Sequence, residues 1–466
     1  MNKKGLLLTY VFFDIIAAIM VWVLFMLFRK IVNDGQIFDG IHIFFPNYDY
    51  YKSLFFFPVA CVFVHYLSGF YLNLYNKTRL TSIFTTLVTS AIISITIFFV
   101  LMLDDVVVSY EYYYYSLLVL FGLLFSITLI FRSIIASQVR YNFKTKKWTI
   151  STVIVGTGNN ALKIAHDFEK NAIQNTLVGF IATDHFVAVP GERVLGNMNQ
   201  LSTIIANNHI EDSIVVLDNA DENQLFSIIN LLYKYNINIQ FTPRLYEILT
   251  GSAKISKLGI IPLVSITNSS MPDWEASVKR FLDIVISLLA LFLLSPFLFY
   301  FMIQIKRDSK GPVFYRQERI GRLGKPFNIL KFRTMYRGSE NGTPQLSSAN
   351  DNRITEVGRI LRKYRIDEIP QFWNILKGDM SLVGPRPERA YYINQIIEDA
   401  PYYCLLYKIR PGLTSWGPIK IGYSDTIEKM IERLNYDIIY MDNMSLITDL
   451  KILIYTLEII FKGKGI

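Results

Sequence analysis

The sequence predicts a membrane protein of mixed class, membrane α plus α/β, built from three parts. They are a bundle of four transmembrane helices at 1–147, a Rossmann-like α/β domain at 148–252 and, after a linker at 253–278, a mainly helical monotopic domain at 279–466 with a re-entrant membrane helix at 279–305. The 466 residues are 52% hydrophobic and 15% aromatic, with a mean hydropathy of +0.31, which is typical of membrane proteins. Four apolar runs come first, and alternating strand and helix patterns follow them.

The bundle is predicted from four runs that each approach the ~20 residues needed to cross a bilayer. The runs are Leu6–Phe28, Leu54–Leu74, Ile83–Leu103 and Ser116–Ile135. Basic residues precede the first run, separate the second from the third and follow the fourth, whereas the loop after the third run is acidic. By the positive-inside rule both ends of the bundle face the cytoplasm, which predicts a multi-pass protein of the inner membrane.

The bundle contains one acidic side chain inside a predicted span, Asp14, for which the sequence offers no evident basic partner. A chain of acidic and basic groups through the spans would be typical of a transport path. We therefore expect the bundle to be an anchor, or to supply a homodimer contact, rather than to form a transporter.

The middle domain begins with a β-branched run, Thr149–Val155, followed by Gly156-Thr157-Gly158-Asn159-Asn160-Ala161 and a helical stretch. Glycines at this spacing after a strand allow a pyrophosphate to lie on the helix N-terminus, and Asp184 after the second strand is placed to reach a ribose. The alternative is a Rossmann-like fold that holds no nucleotide, because a fold does not by itself carry a function. Both interpretations are open at this point.

The apolar stretch Phe281–Ile305 is long enough to cross a membrane, but Ser295 and Pro296 interrupt it in the middle. Proline lacks the N–H that a helix needs and clashes with the preceding turn, so the helix is expected to bend there. Both flanks are basic, with Lys279 and Arg280 before the stretch and three further basic residues after it. This symmetry favours a hairpin whose ends lie on one face over the alternative, a kinked spanning helix.

The most informative part of the chain is an acidic pair, Asp367 and Glu368, inside a basic run that holds Arg362 and Arg365. Another arginine, Arg386, follows in a Gly-Pro-Arg-Pro turn, where two prolines restrict the backbone. Carboxylates surrounded by arginines suit a reaction between anions, above all phosphoryl chemistry. The alternative is a helix end with a solvated run of charges.

Seven short motifs follow one another in order between Lys279 and Trp416. They are Lys279-Arg280-Phe281-Leu282-Asp283, Ser295-Pro296, Gly311-Pro312-Val313-Phe314-Tyr315-Arg316-Gln317-Glu318-Arg319, Lys331-Phe332-Arg333-Thr334-Met335, Asp367-Glu368-Ile369-Pro370-Gln371, Lys377-Gly378-Asp379-Met380-Ser381-Leu382-Val383-Gly384-Pro385-Arg386-Pro387-Glu388 and Arg410-Pro411-Gly412-Leu413-Thr414-Ser415-Trp416. With them the segment resembles the catalytic core of bacterial monotopic phosphoglycosyl transferases, the polyprenyl-phosphate sugar-1-phosphate transferases. Large members of that family also have four spans and a nucleotide-binding-like domain.

The resemblance implies transfer of a sugar-1-phosphate from a nucleoside diphosphate sugar, with uridine as the expected nucleoside, to undecaprenyl or another polyprenyl phosphate. Such a reaction would initiate assembly of a surface polysaccharide, such as an exopolysaccharide or capsule. Both substrates are anionic, so a carboxylate nucleophile that divides the reaction into two steps is favourable. Asp367 is expected to form a covalent phosphosugar adduct and Glu368 to bind Mg²⁺; the resemblance implies the same roles. Arg362, Arg386, Lys331 and Arg365 are expected to bind substrate phosphates.

Other residues of this core have two interpretations each. For Arg316, Arg319 and Arg333 the interpretations are phosphate binding and a solvated face, and Asp379 and Glu388 are candidates to orient arginines. Trp416 is expected to stack or pack near the site. Many relatives of this type continue after the tryptophan with Asn-Gly-Arg, but this chain has Gly417-Pro418-Ile419-Lys420-Ile421-Gly422-Tyr423, so Lys420 is the candidate to replace an arginine contact.

Composition and motifs also weigh against other classes. The formal charge of +9 suits an anionic membrane face or phosphorylated substrates, and no basic tract with spaced aromatics indicates nucleic-acid binding. With two cysteines, Cys61 and Cys404, a disulfide framework is not expected. One alternative is a membrane-anchored nucleotide-sugar dehydratase or epimerase, but its Tyr-x-x-x-Lys pair is missing from the middle domain and beyond. A non-catalytic assembly scaffold is the other alternative, and the intact acidic pair argues against it.

Overall fold

The structure, a computed structural model, describes residues 3–34, 48–104, 110–171, 174–183, 193–216, 222–233, 235, 237–242, 264–265, 271–339, 351–422 and 426–461. The chain divides into two compact units. One unit comprises residues 1–149 and 273–278, and the other comprises residues 150–272 and 279–466. The α/β domain and the C-terminal domain therefore belong to the same unit.

The described part of residues 1–149 contains four α-helices: α1 (Lys3–Asp34), α2 (Tyr48–Leu67), α3 (Arg79–Asp104) and α4 (Tyr110–Lys144). Among the described residues, three helical segments are long and apolar enough to cross a membrane, namely Lys4–Ile31, Arg79–Val100 and Tyr113–Lys144. They correspond to the first, third and fourth predicted spans.

Four spans are not confirmed, because the second predicted span, Leu54–Leu74, ends early. Helix α2 stops at Leu67, and its apolar part, Tyr51–Leu67, is shorter than a usual span. The chain turns at Gly69, which has a φ of 72°. A Cβ at this position would lie 2.4 Å from the carbonyl carbon of Asp273, so glycine allows the backbone of residue 273 to approach the turn.

Asp14 has a basic partner, contrary to the expectation from sequence. Arg132 on α4 donates from Nε and Nη2 to its two carboxylate oxygens at 3.0 and 2.8 Å, and both side chains are buried. Tyr71 donates a further hydrogen bond to Asp14 at 2.8 Å, and Arg132 also donates to Thr86 at 2.9 Å. The guanidinium carbon lies 3.5 Å from the centre of the Phe70 ring. A paired and hydrogen-bonded charge can be buried in the bundle where a single one could not.

The described residues of the α/β domain form a six-stranded sheet in the order β3-β2-β1-β4-β5-β6. Its strands are β1 (Ile150–Val155), β2 (Asn175–Ala182), β3 (Val194–Asn197), β4 (Asp212–Val215), β5 (Asn238–Phe241) and β6 (Val264–Ser265). Pairing is parallel except between β5 and β6, as expected for a doubly wound fold. Helices α5 (Asn159–Asn171), α6 (Leu201–Asn208) and α7 (Glu222–Tyr233) connect the strands. The predicted α/β class of this domain is confirmed.

Helix α7 packs on a 3₁₀ helix of the C-terminal domain, Pro401–Lys408. The rings of Tyr233 and Tyr407 meet edge to face at 5.9 Å, and Asn230 donates to the carbonyl of Pro401 at 2.8 Å. The thiol of Cys404 is buried in the same apolar core as the strands of the α/β domain. The two domains therefore share a core.

The C-terminal domain begins with a broken helix. Helix α8 (Asp273–Leu293) and helix α9 (Ser295–Asp308) meet at a bend of 61°, which confirms the predicted break at Ser295 and Pro296. The Ser295 hydroxyl donates to the carbonyl of Phe292 at 2.7 Å, because the proline cannot donate to the preceding turn. The helix begins six residues before the predicted 279, since Asp273 and Glu275 favour the positive end of the helix dipole.

The rest of this domain contains two small sheets and short helices. Strands β7 (Phe314–Ile320) and β8 (Pro326–Phe332) form an antiparallel hairpin, and β9 (Ser381–Val383) pairs in parallel with β10 (Gly412–Thr414). The helices are α10 (Glu356–Lys363), α11 (Phe372–Lys377), α12 (Ala390–Asp399), α13 (Trp416–Ile421), α14 (Ile427–Asp442) and α15 (Leu446–Phe461). The mainly helical character predicted for this domain is thus present.

The buried pair of the bundle yields a stability prediction. Arg132→Met leaves the Asp14 carboxylate without its cation, and we expect the free energy of unfolding to fall by about 3–5 kcal/mol. Asp14→Leu should be similarly damaging, whereas the double variant lacks both charges and should lose clearly less than the sum of the single effects. Unfolding of the purified protein in detergent, followed by circular dichroism, measures all three; simple additivity would contradict an energetic coupling between the two side chains.

Candidate active site

The acidic pair lies on a short 3₁₀ helix, Ile366–Gln371, and both carboxylates are buried. A 3₁₀ helix has about three residues per turn, so neighbouring side chains point further apart than on an α-helix. Arg365 enters this helix in the left-handed conformation, with a φ of 54°. A non-glycine residue rarely adopts this conformation, and it is often found where a functional loop is held under strain. Asp367 and Glu368 are therefore fixed in different directions from one rigid turn.

Glu368 is the centre of the ion pairs at the site. Lys331 on β8 donates from Nζ to Glu368 Oε1 at 2.9 Å. Arg386 Nη2 lies 3.6 Å from the same oxygen, and Arg365 Nη1 lies 3.6 Å from Oε2. Arg362, from the end of α10, instead donates to Thr334 Oγ1 at 2.9 Å. The structure thus brings together the side chains that the sequence predicted to bind phosphate.

These residues line one cavity of about 480 Å³. Asp367, Glu368, Lys331, Arg362, Arg365 and Arg386 all contribute to its wall. Four cationic side chains thus surround two carboxylates in a space large enough for a small-molecule ligand. The excess of positive charge suits a ligand with several negative oxygens, while the carboxylates supply oxygen atoms for nucleophilic attack or metal binding.

The two carboxylates have opposite electrostatic environments. Burial raises the pKa of Asp367 to about 6; the charge of Glu368 adds to this effect and that of Lys331 opposes it. Burial would also raise the pKa of Glu368, but Lys331, Arg386 and Arg365 outweigh it and hold that pKa well below its usual range. Glu368 is therefore a permanent anion, and Asp367 is the more basic carboxylate of the pair.

Backbone contacts hold Arg386 in place. Gly412 donates its N–H to the carbonyl of Pro385 at 2.9 Å, and Gly384 donates to Thr414 at 3.0 Å. A Cβ on Gly384 would lie 2.4 Å from the carbonyl oxygen of Arg410, so the two chain segments can lie this close because the residue is glycine. The Gly-Pro-Arg-Pro turn is thus bound to β10 on one side, and the guanidinium is presented from a rigid support.

Two residues that support the site were not identified from sequence. Asn374 on α11 accepts from the N–H of Leu330 at 2.9 Å and donates to the carbonyl of Asn328 at 2.8 Å, which joins the acidic turn to β8. Asp437 on α14 accepts from the N–H groups of Arg386 and Gly417 at 3.4 and 3.3 Å. Asp437 could have been identified from the sequence, because Arg433 and Asp437 place two charges at i, i+4 on the apolar face of α14.

The arginines with open interpretations have separate functions. Arg333 is buried and donates from Nη2 to the carbonyls of Ile305 and Ser309 at 3.3 and 2.7 Å, so it joins β8 to the end of α9. Arg319 donates to Glu388 at 3.1 Å, and Arg433 pairs with the same carboxylate, which confirms Glu388 as an orienting residue. Asp379 instead pairs with Lys377 at 3.1 Å.

The segment after Trp416 contributes to the cavity differently from what was expected. Trp416 packs against Tyr455 in the apolar core, with ring centres 5.9 Å apart, and Lys420 Nζ lies 5.1 Å from the centre of the tryptophan ring. Pro418 and Gly422, rather than Lys420, line the cavity. The geometry therefore does not support the prediction that Lys420 replaces an arginine contact.

The glycine loop of the α/β domain is not part of this cavity. Gly156 has a φ of 124°, and a Cβ there would lie 1.9 Å from the carbonyl oxygen of Val216, so the fold itself requires glycine at this position. Gly158 also has a positive φ, of 111°. Asp184, the expected ribose contact, lies outside the described residues. The described residues contain no group of three acidic, histidine or cysteine side chains placed to hold a metal ion.

Comparisons with known proteins agree with this division of the chain. A family described as bacterial sugar transferase matches residues 274–463, and one described as a CoA-binding domain matches residues 66–243. A UDP-N-acetylgalactosamine-undecaprenyl-phosphate N-acetylgalactosaminephosphotransferase from Aeromonas hydrophila is 37% identical over 230 residues, which are 49% of this chain and 54% of that protein.

Two further relatives match more of the chain. A UDP-glucose:undecaprenyl-phosphate glucose-1-phosphate transferase from Xanthomonas campestris pv. campestris is 29% identical over 65% of each chain. A protein named as an uncharacterized sugar transferase from Haemophilus influenzae is 30% identical over 67% of this chain and 69% of its own length. The chain thus spans between 54% and 65% of the length of the Aeromonas and Xanthomonas relatives.

The opposite environments of the two carboxylates predict opposite effects on stability. A raised pKa means that ionised Asp367 lowers the stability of the fold once the pH rises through about 6, so Asp367→Asn should raise the melting temperature at pH 7.5. A lowered pKa means that ionised Glu368 stabilises the fold at every pH above its unfolded value, so Glu368→Gln should lower it.

Each change should amount to a few degrees, since 1 kcal/mol corresponds to about 2–4 °C in a domain of this size. Thermal melts in detergent at pH 7.5 measure the effect, and Asp379→Asn, which removes a partly exposed carboxylate, is the matched control. A fall in melting temperature for Asp367→Asn as large as that for Glu368→Gln would contradict the assignment of the more basic carboxylate.

Proposed function

We propose that this chain, which belongs to the bacterial sugar transferase family, transfers a sugar-1-phosphate from a UDP-sugar to undecaprenyl phosphate or another polyprenyl phosphate and so initiates a surface polysaccharide. The observation that carries the proposal is the cavity in which Asp367 and Glu368 face Lys331, Arg362, Arg365 and Arg386. The names of the Aeromonas and Xanthomonas relatives describe this class of reaction with UDP-sugars.

The reaction proceeds in two displacements. A carboxylate oxygen of Asp367 attacks the phosphorus that carries the sugar, the bond from that phosphorus to the bridging oxygen breaks, and nucleoside monophosphate leaves with the electron pair. An oxygen of polyprenyl phosphate then attacks the same phosphorus and releases the Asp367 carboxylate. The covalent step spares two anionic substrates from approaching each other directly. The raised pKa of Asp367 makes this carboxylate a better nucleophile, and it is still largely ionised at neutral pH.

The cationic side chains stabilise the negative oxygens of the diphosphate during the displacements. Lys331 and Arg386 lie beside the oxygens of Glu368, next to the nucleophile, where the negative oxygens of the diphosphate collect. Arg386 is rigidly held by the Gly-Pro-Arg-Pro turn, so its charge is already in position when the transition state forms. Arg362 and Arg365 extend this positive wall around the acidic turn.

The residues present fit a Mg²⁺ ion, which we propose as the cofactor. Mg²⁺ is usually bound by one or two carboxylates together with substrate phosphates, so a site of two carboxylates without a third acidic ligand is adequate. Glu368, the permanent anion of the pair, would hold the ion, with Asp367 beside it. When bound, Mg²⁺ would neutralise charge on the diphosphate.

Because the acceptor is a lipid, the site must lie at the membrane surface. The broken helix can hold it there by inserting into the bilayer. Side chains around the bend are apolar and exposed, with Phe292 at 77%, Leu293 at 65% and Phe297 at 63%. Basic residues lie on both helices away from the bend, Lys279 and Arg280 on α8 and Lys306 and Arg307 on α9. An apolar tip with basic ends is expected for a hairpin that enters one leaflet from the cytoplasmic side and returns.

A nucleotide site on the α/β domain, a homodimer and the dehydratase or epimerase alternative are not part of this proposal. A nucleotide on the α/β domain stays a prediction, and the strict need for glycine at position 156 is already explained by its contact with Val216. A homodimer formed through the bundle also stays a prediction. The dehydratase or epimerase alternative gains nothing from the structure, because the cavity with the acidic pair lies in the C-terminal domain and not at the glycine loop.

The covalent step can be tested by trapping. Incubation of the purified full-length protein with a panel of UDP-sugars, without lipid acceptor, should release UMP in about equal amount to the enzyme and increase its intact mass by one phosphosugar. Peptide mass spectrometry should place this adduct on Asp367. Asp367→Asn should form no adduct and lose at least about a thousandfold in turnover, whereas Asp379→Asn should retain both. An adduct on a different residue, or substantial turnover by folded Asp367→Asn, would exclude Asp367 as the nucleophile.

The hairpin makes a prediction about membrane topology. Cys61 and Cys404 are both buried, so single cysteines introduced elsewhere can be labelled selectively. In intact cells an impermeant maleimide should label Glu111→Cys but neither Lys147→Cys nor Lys310→Cys, and all three should react once the cells are opened. Labelling of Lys310→Cys from outside would show that the broken helix crosses the bilayer. Pro296→Ala should straighten the helix and move part of the population towards that result.

A further inference from the structure

Helix α8, the first arm of the broken helix, carries polar side chains that bind backbone groups of the C-terminal domain. Lys279, Arg280 and Asp283 lie on one side of the helix, at positions i, i+1 and i+4. Leu282 and Leu289 point to another side and are exposed. The helix therefore has an apolar face that suits the bilayer and a polar face that contacts the domain.

Arg280 binds the segment that follows the acidic turn. Its Nη1 donates to the carbonyl of Ile375 at 2.7 Å, and its Nη2 donates to the carbonyl of Leu376 at 3.0 Å. Both carbonyls belong to the end of α11, where the last carbonyl groups of a helix need partners from outside it. Since α11 begins directly after the acidic turn, the guanidinium holds the acidic turn in place relative to α8.

Lys279 and Asp283 bind the strand that precedes the Arg386 turn. Lys279 donates from Nζ to the carbonyl of Val383 at 2.9 Å, and Asp283 accepts from the N–H of Leu382 at 2.9 Å. Both backbone groups belong to β9, which ends at Val383, three residues before Arg386. The same helical turn therefore contacts the supports of both the acidic pair and Arg386.

The charge of Lys279 is bound within the protein. Its Nζ donates to Asp449 at 2.5 Å, and Tyr440 donates to the second oxygen of that carboxylate at 2.6 Å. The Lys279 side chain is only 13% exposed. Lys306 and Arg307, the corresponding basic residues on α9, are exposed. The two basic flanks of the broken helix thus differ, because only the first is built into the domain through the contacts described here.

We propose that Lys279, Arg280 and Asp283 are positioning residues that form a clamp, by which α8 holds the acidic turn and the Arg386 turn at a fixed separation. The inference rests on the proposed function. Asp367 and Arg386 can act on the same phosphorus only if they lie at the correct distance from each other. A small displacement of either support should therefore lower the rate of the chemical step more than it weakens substrate binding.

A double-variant cycle on turnover tests the clamp. Lys279→Met should lower kcat about tenfold and change the KM for the UDP-sugar less than about threefold. In an Arg386→Gln background the same change should cost less than about twofold, because Lys279 acts through Arg386. Lys279→Arg retains the cation and should recover most of the turnover. Equal losses from Lys279→Met in the two backgrounds would overturn the assignment.

The second basic flank supplies matched controls. Lys306→Met and Arg307→Gln remove the same groups from exposed positions, and turnover should stay within about twofold of wild type. Losses as large as those from Lys279→Met and Arg280→Gln would show that the reaction needs positive charge at the membrane face rather than the clamp, and would reject the proposal.

Hydrogen exchange of the full-length protein in detergent tests the clamp without any reaction. Lys279→Met should speed exchange in peptides that cover residues 381–387, and Arg280→Gln in those that cover 372–378, by about tenfold, as expected for the loss of charge-assisted hydrogen bonds. Lys306→Met should change neither region. Unchanged exchange at 381–387 in Lys279→Met would contradict the clamp.

The clamp and the proposed function can fail separately. Faster exchange in the two regions, together with no phosphosugar adduct on the wild-type protein, would retain the clamp and reject the reaction. An adduct on wild-type Asp367, together with unchanged exchange and equal losses in the two backgrounds, would retain the reaction and reject the clamp.

Discussion

The interaction on which the site depends is the contact of Lys331 with Glu368. Two adjacent carboxylates in a buried turn repel each other and have lost most of their hydration, so neither would remain ionised without a cation close by. Lys331, with Arg386 and Arg365 further out, holds Glu368 as an anion. The remaining repulsion and the burial act on Asp367, whose pKa is raised as a result. One lysine on β8 thus divides a pair of similar side chains into an anion with a lowered pKa and a more basic carboxylate.

The rigid parts of the site come from small residues and prolines. Gly384 and Gly412 allow the Gly-Pro-Arg-Pro turn and β10 to share backbone hydrogen bonds, and Asn374 joins the acidic turn to the hairpin that carries Lys331. The charged groups are therefore mounted on three connected supports. Preorganisation of this kind means that little rearrangement is needed when charge moves during the reaction.

Sequence reasoning succeeded where a short stretch of chain carries the whole signal. The acidic pair, the break at Ser295 and Pro296, and the strand that precedes Gly156 are all local patterns, and the structure has them at the expected positions. The four predicted phosphate-binding side chains could be named because their motifs lie within one domain. Their common cavity could only be inferred from the family resemblance.

The failures concern contacts between distant parts of the chain. Arg132 lies 118 residues after Asp14, and no periodicity connects the two. Helix α2 ends at Leu67, just before the turn at Gly69 that lies against the backbone of residue 273, about two hundred positions later. Asp437 was missed because a charge on an amphipathic helix is normally assigned to its solvated face. In each case the residue type was visible, and the partner that gives it a role was not.

The shared core of α7 and the Pro401–Lys408 helix has a consequence for how such a chain is assembled from modules. Cys404, Leu405 and Tyr407 lie against the α/β domain, and the same segment continues through Arg410 to Gly412, which binds the turn that presents Arg386. A gene rearrangement that removed the middle domain would uncover an apolar patch at the base of the turn that presents Arg386. A protein of this type without such a domain would be expected to carry polar side chains here, and grafting the domain onto it would require these positions to be exchanged as well.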